Sequence, residues 1–178
     1  MKAFATKENL SNKREIETMG KNYLAKQLLG EPSKITYDDK GKPLLENDLR
    51  HISISHSHEK LAIIINENES TGIDIELIRD KVLKIKHKFL SNSELLDTKD
   101  DVEKLIIYWA AKETLYKIYG LQEVDFIKNL FVNPFTKYKL GTIIGKIKMP
   151  NFNEAFELQY QILGDYVLVY ALKKIKNC

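Results

Sequence analysis

The sequence predicts an α+β fold, and three observations carry this prediction. A helical pattern opens the chain, and a stronger one runs from about Val102 to Tyr119. Short strand-like runs lie between them, and the last third alternates apolar and polar residues. Because helices and strands mix without a regular strand–helix–strand repeat, the pattern favours α+β over a parallel α/β sheet.

The first elements are a helix followed by a series of short strands. The helix has Ser11 as its candidate N-cap and ends at Gly30, with apolar residues at helical spacing between them. A hairpin should follow, because Ile35–Tyr37 has a strand pattern and residues 38–41 are turn formers. The next predicted strands are His51–Ser55, Leu61–Ile65 and Gly72–Leu77.

The middle of the chain predicts two helices. Residues 91–94, Ser-Asn-Ser-Glu, match a capping box in which Glu94 reaches back to the start of its helix. The helix from about Val102 to Tyr119 has Gly120 in the position of a left-handed C-terminal cap. Its apolar stripe consists of Ile107, Ala111, Leu115 and Ile118.

The last third predicts an antiparallel hairpin. Alternate residues from Phe156 to Ile162 are apolar, Gly164-Asp165 supplies a turn, and Tyr166–Leu172 forms the returning strand. No internal repeat, low-complexity tract or linker divides the 178 residues. We therefore predict one compact domain.

Composition narrows the possible partners and location. A net charge of +3 is too weak to indicate nucleic acid, but it suits an acidic protein or a polyanionic small molecule. The single cysteine, Cys178, cannot form an internal disulfide and fits a reducing compartment. The first residues lack the apolar core of a secretory signal, and no apolar run reaches the ~20 residues of a membrane span. We expect a cytoplasmic protein without membrane contact.

Two carboxylates in a predicted strand form the first candidate site. Asp74 and Glu76 lie two residues apart, so both side chains point to one face of the strand. Two oxygen ligands on one face suit a hard cation such as magnesium. The alternative is a strand with one solvated face, and the spacing alone favours that alternative.

The helix after residue 102 carries the second candidate group. Trp109, Glu113 and Lys117 are spaced four residues apart and line one face. A carboxylate and an ammonium one turn apart suit a metal and the phosphate beside it. The alternative is a surface Glu–Lys pair worth about 0.3–0.5 kcal/mol.

The third candidate is the hydroxyl-rich end of a strand, Ser53-Ile54-Ser55-His56-Ser57. His56 suits a phosphate ligand, with Ser55 as its support. The alternative is a satisfied polar residue at a strand end. His51, His58 and His87 carry only that alternative interpretation, because no metal-ligand pattern surrounds them.

The order of these motifs is more specific than any one of them. Gly-Lys-Pro at 41–43, Ser-Ile-Ser-His-Ser at 53–57, Gly-Ile-Asp-Ile-Glu at 72–76, Lys-Phe-Leu-Ser-Asn-Ser-Glu at 88–94 and Trp-Ala-Ala-Lys-Glu-Thr-Leu-Tyr-Lys at 109–117 follow one another. The chain thereby resembles the Sfp-type 4′-phosphopantetheinyl transferases between about Lys13 and Gly120. The resemblance implies an α+β fold of two pseudo-symmetric halves, here about 1–70 and 71–178, with coenzyme A bound between them.

The resemblance also implies roles at the reacting phosphate. Magnesium would be held by Asp74, Glu76 and Glu113, together with the pyrophosphate of coenzyme A. Lys117 would contact the same pyrophosphate. The general base is left open between Glu113 and a metal-bound hydroxide.

At the nucleotide end, the resemblance implies that His56 and Ser55 hold the 3′-phosphate and that Lys42 lies along the adenosine. Lys21, in Met19–Tyr23, takes the place of a basic residue that meets the same phosphate; it keeps the charge but lacks the fork of an arginine. Further candidates are Lys13 and Arg14. Structural roles are expected for Trp109 and for an ion pair between Glu94 and Lys112.

The expected activity is transfer of 4′-phosphopantetheine from coenzyme A to a serine of an apo acyl or peptidyl carrier protein, and we expect a monomer. Carrier proteins of this kind are acidic, and the basic run from Arg79 to Lys88 is either a docking patch or a solvated face. Two other functions stay open: a different magnesium-dependent phosphodiester- or pyrophosphate-cleaving enzyme, and a non-catalytic module that binds coenzyme A or a carrier protein.

Overall fold

A computed structural model describes the backbone of residues 13–175 and the side chains of residues 15–175. The candidate cap Ser11, the side chains of Lys13 and Arg14, and Cys178 lie outside that part. Helix α1 spans Lys13–Leu29 and ends as predicted at Gly30, which has a φ of 78° and donates its N–H to the carbonyl of Lys26. Only glycine adopts such a φ at little cost.

The N-terminal part, residues 13–66, contains two small antiparallel sheets beside α1. Strands β1 (Ile35–Tyr37) and β2 (Pro43–Leu45) form the predicted hairpin, and β3 (His51–Ser57) pairs with β4 (Lys60–Asn66). The carboxylate of Asp38 accepts the N–H groups of Lys40 and Lys42 and so fixes the first turn.

The C-terminal part, residues 72–175, begins with β5 (Ile73–Leu77), α2 (Lys81–Ile85) and a short 3₁₀ turn. Helix α3 (Asn92–Thr98) and helix α4 (Val102–Tyr119) follow. The capping box at the start of α3 is confirmed. Helix α4 ends at Gly120, in the left-handed conformation that the sequence predicted.

Four more strands complete a five-stranded antiparallel sheet in the order β5-β9-β8-β7-β6. The predicted hairpin is β8 (Phe152–Leu163) and β9 (Tyr166–Ile175), while the sequence prediction missed β6 (Leu130–Val132) and β7 (Leu140–Met149). Every ladder among the described strands is antiparallel, and the α+β class is confirmed. The division into halves near residue 70 stays a prediction.

The main hydrophobic core lies between α4 and this sheet. The predicted stripe of α4 is buried, and every member of the core cluster falls between Val82 and Val169. The C-terminal part therefore contains the packed scaffold, against which the N-terminal part is placed. Within residues 13–175, no helix is both long and apolar enough for a membrane span.

Candidate active site

Asp74 is the most buried carboxylate among the candidate residues. Its residue is 3% exposed, and its Oδ1 accepts hydrogen bonds from Ser55 Oγ and Lys117 Nζ, both at 2.7 Å. Its Oδ2 is buried and has no hydrogen-bond partner in the described part of the chain. The alternative of a solvated strand face is therefore wrong for Asp74.

A glycine allows α4 to approach the strand that carries Asp74. A Cβ at Gly72 would lie 2.3 Å from the carbonyl oxygen of Thr114, which is too short for any Cβ contact. At this separation Lys117 Nζ reaches the carbonyl oxygen of Ile73 at 2.9 Å as well as Asp74. Gly72 is therefore required for the close packing of α4 on β5. Lys117 pairs with Asp74 and does not form the surface Glu–Lys pair that was the alternative.

Glu113 lies one turn before Lys117 on the same helix face. Burial raises the pKa of Glu113 to about 7, and the nearby carboxylate of Asp74 adds to the increase. Burial likewise raises the pKa of Asp74 to about 6, against the opposing effect of Lys117. Two carboxylates that share a poorly solvated space resist joint ionisation, which a bound cation would relieve.

Glu76 is held from two sides. Ser57 Oγ donates to its Oε2 at 3.2 Å, and Trp109 Nε1 donates to its Oε1 at 3.0 Å. The Trp109 ring packs between Phe89 and Phe126, at centroid distances of 5.0 and 5.6 Å. The predicted packing role of Trp109 is confirmed, and its link to Glu76 is an addition that helical spacing alone did not indicate.

A cavity of about 220 Å³ connects the two parts of the molecule beside these groups. Glu113 and Lys117 of α4 line it together with Ser53 and the turn that holds Lys42. Lys42 Nζ donates to Ser70 Oγ at 3.0 Å and packs on Gly120, and burial lowers the pKa of Lys42. The Gly-Lys-Pro turn and the Glu–Lys helix face, far apart in sequence, therefore share one space.

His56 and Lys21 lie away from this cavity. Because side chains alternate along β3, His56 points to the face opposite Ser55, and its Nε2 is 3.8 Å from Glu17 Oε2 of α1. Lys21, one turn further along α1 than Glu17, donates to the hydroxyl of Tyr37 at 3.2 Å. In this structure Ser55 supports Asp74 rather than His56, and the phosphate roles of His56 and Lys21 stay predictions.

The carboxylate oxygens are suitable ligands for a divalent cation, although the side chains are not gathered around a common point. Among the side chains of residues 15–175, no group of three or more histidine, cysteine, aspartate or glutamate residues is gathered as a metal site. The buried, unpartnered Oδ2 of Asp74 is nevertheless a rare feature that a ligand would explain. An all-oxygen donor set beside a cavity of about 220 Å³ suits magnesium.

The comparison with protein families decides the assignment. The family model of the 4′-phosphopantetheinyl transferase superfamily matches residues 70–171, more than half of the chain. The chain belongs to the 4′-phosphopantetheinyl transferase superfamily. Comparison with curated proteins gave no match. The family match includes both carboxylate motifs and begins after the Gly-Lys-Pro and Ser-His-Ser segments. It therefore supports a transferase, and the residues of the nucleotide end are assigned by resemblance alone.

The predicted ion pair between Glu94 and Lys112 is confirmed. Lys112 is fully buried and donates to Glu94 Oε2 and to the carbonyl oxygens of Phe89 and Phe126, all within 2.8 Å. The other oxygen of Glu94 accepts the N–H of Val132. Three acceptors satisfy the ammonium, so Lys112 has no free donor for a substrate. Lys112 joins α4 to α3, and Glu94 extends this link to β6.

A second, shallower depression of about 200 Å³ lies beside Glu76 and Trp109, where Arg79 and Lys81 border apolar residues of α2 and α4. Lys81, Lys84 and Lys88 of the basic run are exposed. Lys86 is half-buried and forms an ion pair with Asp100. The candidate docking patch is therefore narrower than the sequence suggested, because Lys86 is already engaged.

Proposed function

We propose that this chain transfers 4′-phosphopantetheine from coenzyme A to a serine of an apo acyl or peptidyl carrier protein, with magnesium, and releases adenosine 3′,5′-bisphosphate. One observation carries the proposal. Glu113 and Lys117, with Asp74 bonded to Lys117, stand at a cavity that also contains Lys42 of the other part. The residues proposed to hold the cation therefore lie beside the cavity proposed to bind the nucleotide.

Asp74, Glu76 and Glu113 would hold the magnesium ion. When bound, magnesium would neutralise charge on the pyrophosphate of coenzyme A as the phosphoryl group is transferred. Lys117 would offer its ammonium to the same pyrophosphate, since Asp74 and Ile73 occupy two of its three N–H donors.

Glu113 suits the role of proton acceptor for the carrier serine. Without a bound cation the pKa of Glu113 is about 7; a bound cation would favour the ionised carboxylate, which is the form that can accept a proton. The serine oxygen forms a bond to the phosphorus that carries the pantetheine, while the bond from that phosphorus to the bridging pyrophosphate oxygen breaks. The serine proton passes to Glu113, and adenosine 3′,5′-bisphosphate leaves with the bridging oxygen.

The adenosine end would extend along the N-terminal part. Lys42 lines the cavity, and its partly buried ammonium favours an anionic neighbour. His56 and Lys21 remain the proposed 3′-phosphate ligands, on the face of β3 and α1 outside the cavity. A bound nucleotide would have to pass around β3 to reach them, which makes His56 the most informative residue to test.

The carrier protein would approach from the side of Glu76. The depression there combines apolar residues with Arg79 and Lys81, and Lys84 and Lys88 are exposed nearby in sequence. Acidic carriers match such a border in charge, which speeds encounter more than it strengthens binding.

The decisive experiment incubates the protein with coenzyme A, magnesium and an apo carrier protein, followed by mass spectrometry of the carrier. A mass gain of one phosphopantetheine supports transfer. Cleavage of coenzyme A without modification of the carrier would instead indicate a hydrolase. Binding of coenzyme A without either reaction would indicate a non-catalytic module.

A further inference from the structure

The two sheets meet along an edge where serine side chains replace backbone acceptors. At the two ends of β5, Gly72 accepts the N–H of Ala171 in β9, and Ile78 donates its N–H to the carbonyl oxygen of Asp165 in the turn before β9. The alternate residues 73, 75 and 77 therefore direct their N–H groups to the opposite edge. There, β3 lies alongside without a regular ladder. Unpaired N–H groups at a buried edge are costly, and something other than a strand backbone must accept them.

Three serines of β3 accept those N–H groups in register. Ser53, Ser55 and Ser57 accept from Ile73, Ile75 and Leu77 at 3.2, 3.3 and 3.2 Å, each across a sequence separation of 20 residues. All three serines are buried. This serine row, Ser53, Ser55 and Ser57, therefore binds the N-terminal part to the C-terminal part.

Two of the three hydroxyls have a second partner. Ser55 donates to Asp74 and Ser57 donates to Glu76, whereas the residue in the matching position for Ser53 is Gly72, which has no carboxylate. A hydroxyl has a single proton to donate. Since the backbone N–H already uses a lone pair of each hydroxyl, the proton is directed at the carboxylate and fixes its orientation.

We propose that Ser55 and Ser57 are positioning residues, which aim Asp74 and Glu76 at the cation while they join the two parts of the molecule. Ser55 occupies Asp74 Oδ1 and leaves Oδ2 for the ion. Ser57 and Trp109 together hold Glu76 from opposite oxygens. Docking of the N-terminal part and assembly of the cation site are then one event. The inference rests on the proposed function, because it concerns the proposed cation site.

The chain provides its own control for this inference. Alanine at Ser53, Ser55 or Ser57 removes the same kind of bond between the sheets, but only the last two changes release a carboxylate. Mn²⁺ serves as the probe, without a carrier protein, and free Mn²⁺ is measured by electron paramagnetic resonance. Because Ser53 lines the proposed coenzyme A cavity, the coenzyme A concentration is set to saturate each variant separately. Ser55→Ala and Ser57→Ala should weaken Mn²⁺ binding about 10–100-fold, and Ser53→Ala by less than about twofold.

A double-mutant cycle tests whether Ser57 acts through Glu76. In a Glu76→Gln background, Ser57→Ala should cause little further loss of Mn²⁺ affinity, because coupled residues are not additive. Thermal unfolding by circular dichroism shows how much of each effect is general destabilisation, which all three alanine variants share.

Equal losses of Mn²⁺ affinity in all three alanine variants would overturn the inference, since joining the sheets would then explain them. Unchanged affinity in Ser55→Ala and Ser57→Ala would overturn it as well. The expected pattern in a protein that modifies no apo carrier would support the inference while refuting the proposed transfer. A wild type that binds no Mn²⁺ would refute the cation site and this inference together.

Discussion

The N-terminal and C-terminal parts of the molecule differ sharply in how they are packed. The main core cluster lies entirely in the C-terminal part, where α4 covers the five-stranded sheet. In the N-terminal part, α1 exposes large apolar side chains: Ile16, Met19, Tyr23 and Leu28 are each more than 40% exposed. Buried apolar area is the main source of folding stability, so the C-terminal part is the rigid one.

This difference separates the two ends of the proposed substrate. The proposed cation ligands stand on β5 and α4, which the core fixes, while the proposed 3′-phosphate ligands stand on α1 and β3. Chemistry requires the more exact geometry, because small displacements of reacting groups reduce rates strongly. Changes in the C-terminal part should therefore affect turnover or global stability, and changes in the N-terminal part should affect mainly the binding of coenzyme A.

The largest effect is expected at the buried carboxylate. Asp74→Asn keeps the shape of the side chain but removes its charge, and transfer should fall about 10²–10³-fold because charge stabilisation at the phosphate is lost. Steady-state assays across a magnesium titration measure this effect, with circular dichroism as the control for folding. Near wild-type turnover at limiting magnesium would show that β5 does not bind the metal.

The buried ammonium should give the largest effect on stability. Lys112→Ala leaves Glu94 buried without its partner and should lower the free energy of unfolding by about 3–5 kcal/mol. Its matched control is Lys34→Ala in the N-terminal part, where the exposed pair with Glu46 should contribute at most about 1 kcal/mol. Urea unfolding compares the two, and similar losses would contradict the contrast in packing.

His56 tests the nucleotide end. His56→Ala should raise the Michaelis constant for coenzyme A about 10–150-fold with a smaller effect on turnover, since a charge-assisted hydrogen bond contributes about 1.5–3 kcal/mol. Dephospho-coenzyme A, which lacks the 3′-phosphate, is the matched substrate. If the variant loses as much affinity for dephospho-coenzyme A as for coenzyme A, His56 does not contact that phosphate.

The raised pKa of Glu113 predicts how pH changes the stability and the Mg²⁺ affinity of the C-terminal part. Because folding raises the pKa of Glu113 to about 7, the folded chain binds more protons than the unfolded chain between about pH 4 and 7. Without a cation, this group makes stability fall as pH rises through that range. Since cation binding requires both carboxyls to be ionised, Mg²⁺ affinity should rise about tenfold per pH unit between about pH 6 and 7, and more steeply below about pH 6, where Asp74 is protonated as well.

Glu113→Gln isolates this contribution from the other titrating groups. The variant should be more stable than wild type at pH 7.5 without Mg²⁺, and the difference should shrink towards pH 5. Urea unfolding at both pH values, with EDTA or with Mg²⁺, measures it. If the free energies of unfolding of variant and wild type differ by the same amount at both pH values, ionisation of Glu113 does not destabilise the fold.

The sequence predicted the parts of the molecule that depend on local periodicity. The capping box at Ser91, the α4 helix with its buried stripe, and the last hairpin are confirmed because spacing determines which face is buried. The alternation rule also placed Asp74 and Glu76 on one face, and Ser55 and Ser57 share such a face on β3. The rule then separates Ser55 from His56, a consequence that the motif obscured.

The parts that the sequence did not predict depend on contacts between distant residues. The sequence of β7 has a weak strand pattern because glycine and lysine interrupt its apolar residues, yet β7 lies inside the sheet. The bond from Ser57 to Glu76 and the bond from Lys117 to Asp74 arise from packing across two sheets and a helix. No spacing rule within one element encodes them, although three serines at alternate positions of one strand are a pattern that would have indicated a polar interface.

The smallest effect is expected at the surface that would meet the carrier protein, and it tests whether the C-terminal part contributes charge as well as structure. Lys86 is excluded from the test, because its ion pair with Asp100 gives it a structural role. Lys81, Lys84 and Lys88 are the exposed lysines of the run. Reversing these three to glutamate should lower kcat/KM for the carrier several-fold by slowing encounter, and coenzyme A binding should change little.

Salt separates docking from an incidental solvated face. The Debye length falls from ~10 Å at 0.1 M salt to ~3 Å at 1 M, so wild-type kcat/KM for an acidic carrier should decrease as salt screens the attraction. The triple variant, without that attraction, should show a flatter salt dependence. Lys34→Glu, which reverses one charge in the N-terminal part away from the Glu76 depression, provides a control that is compared per reversed charge. Parallel salt curves for wild type and triple variant would show that the run makes no electrostatic contribution to docking, because screening would then act on charges elsewhere on the surface.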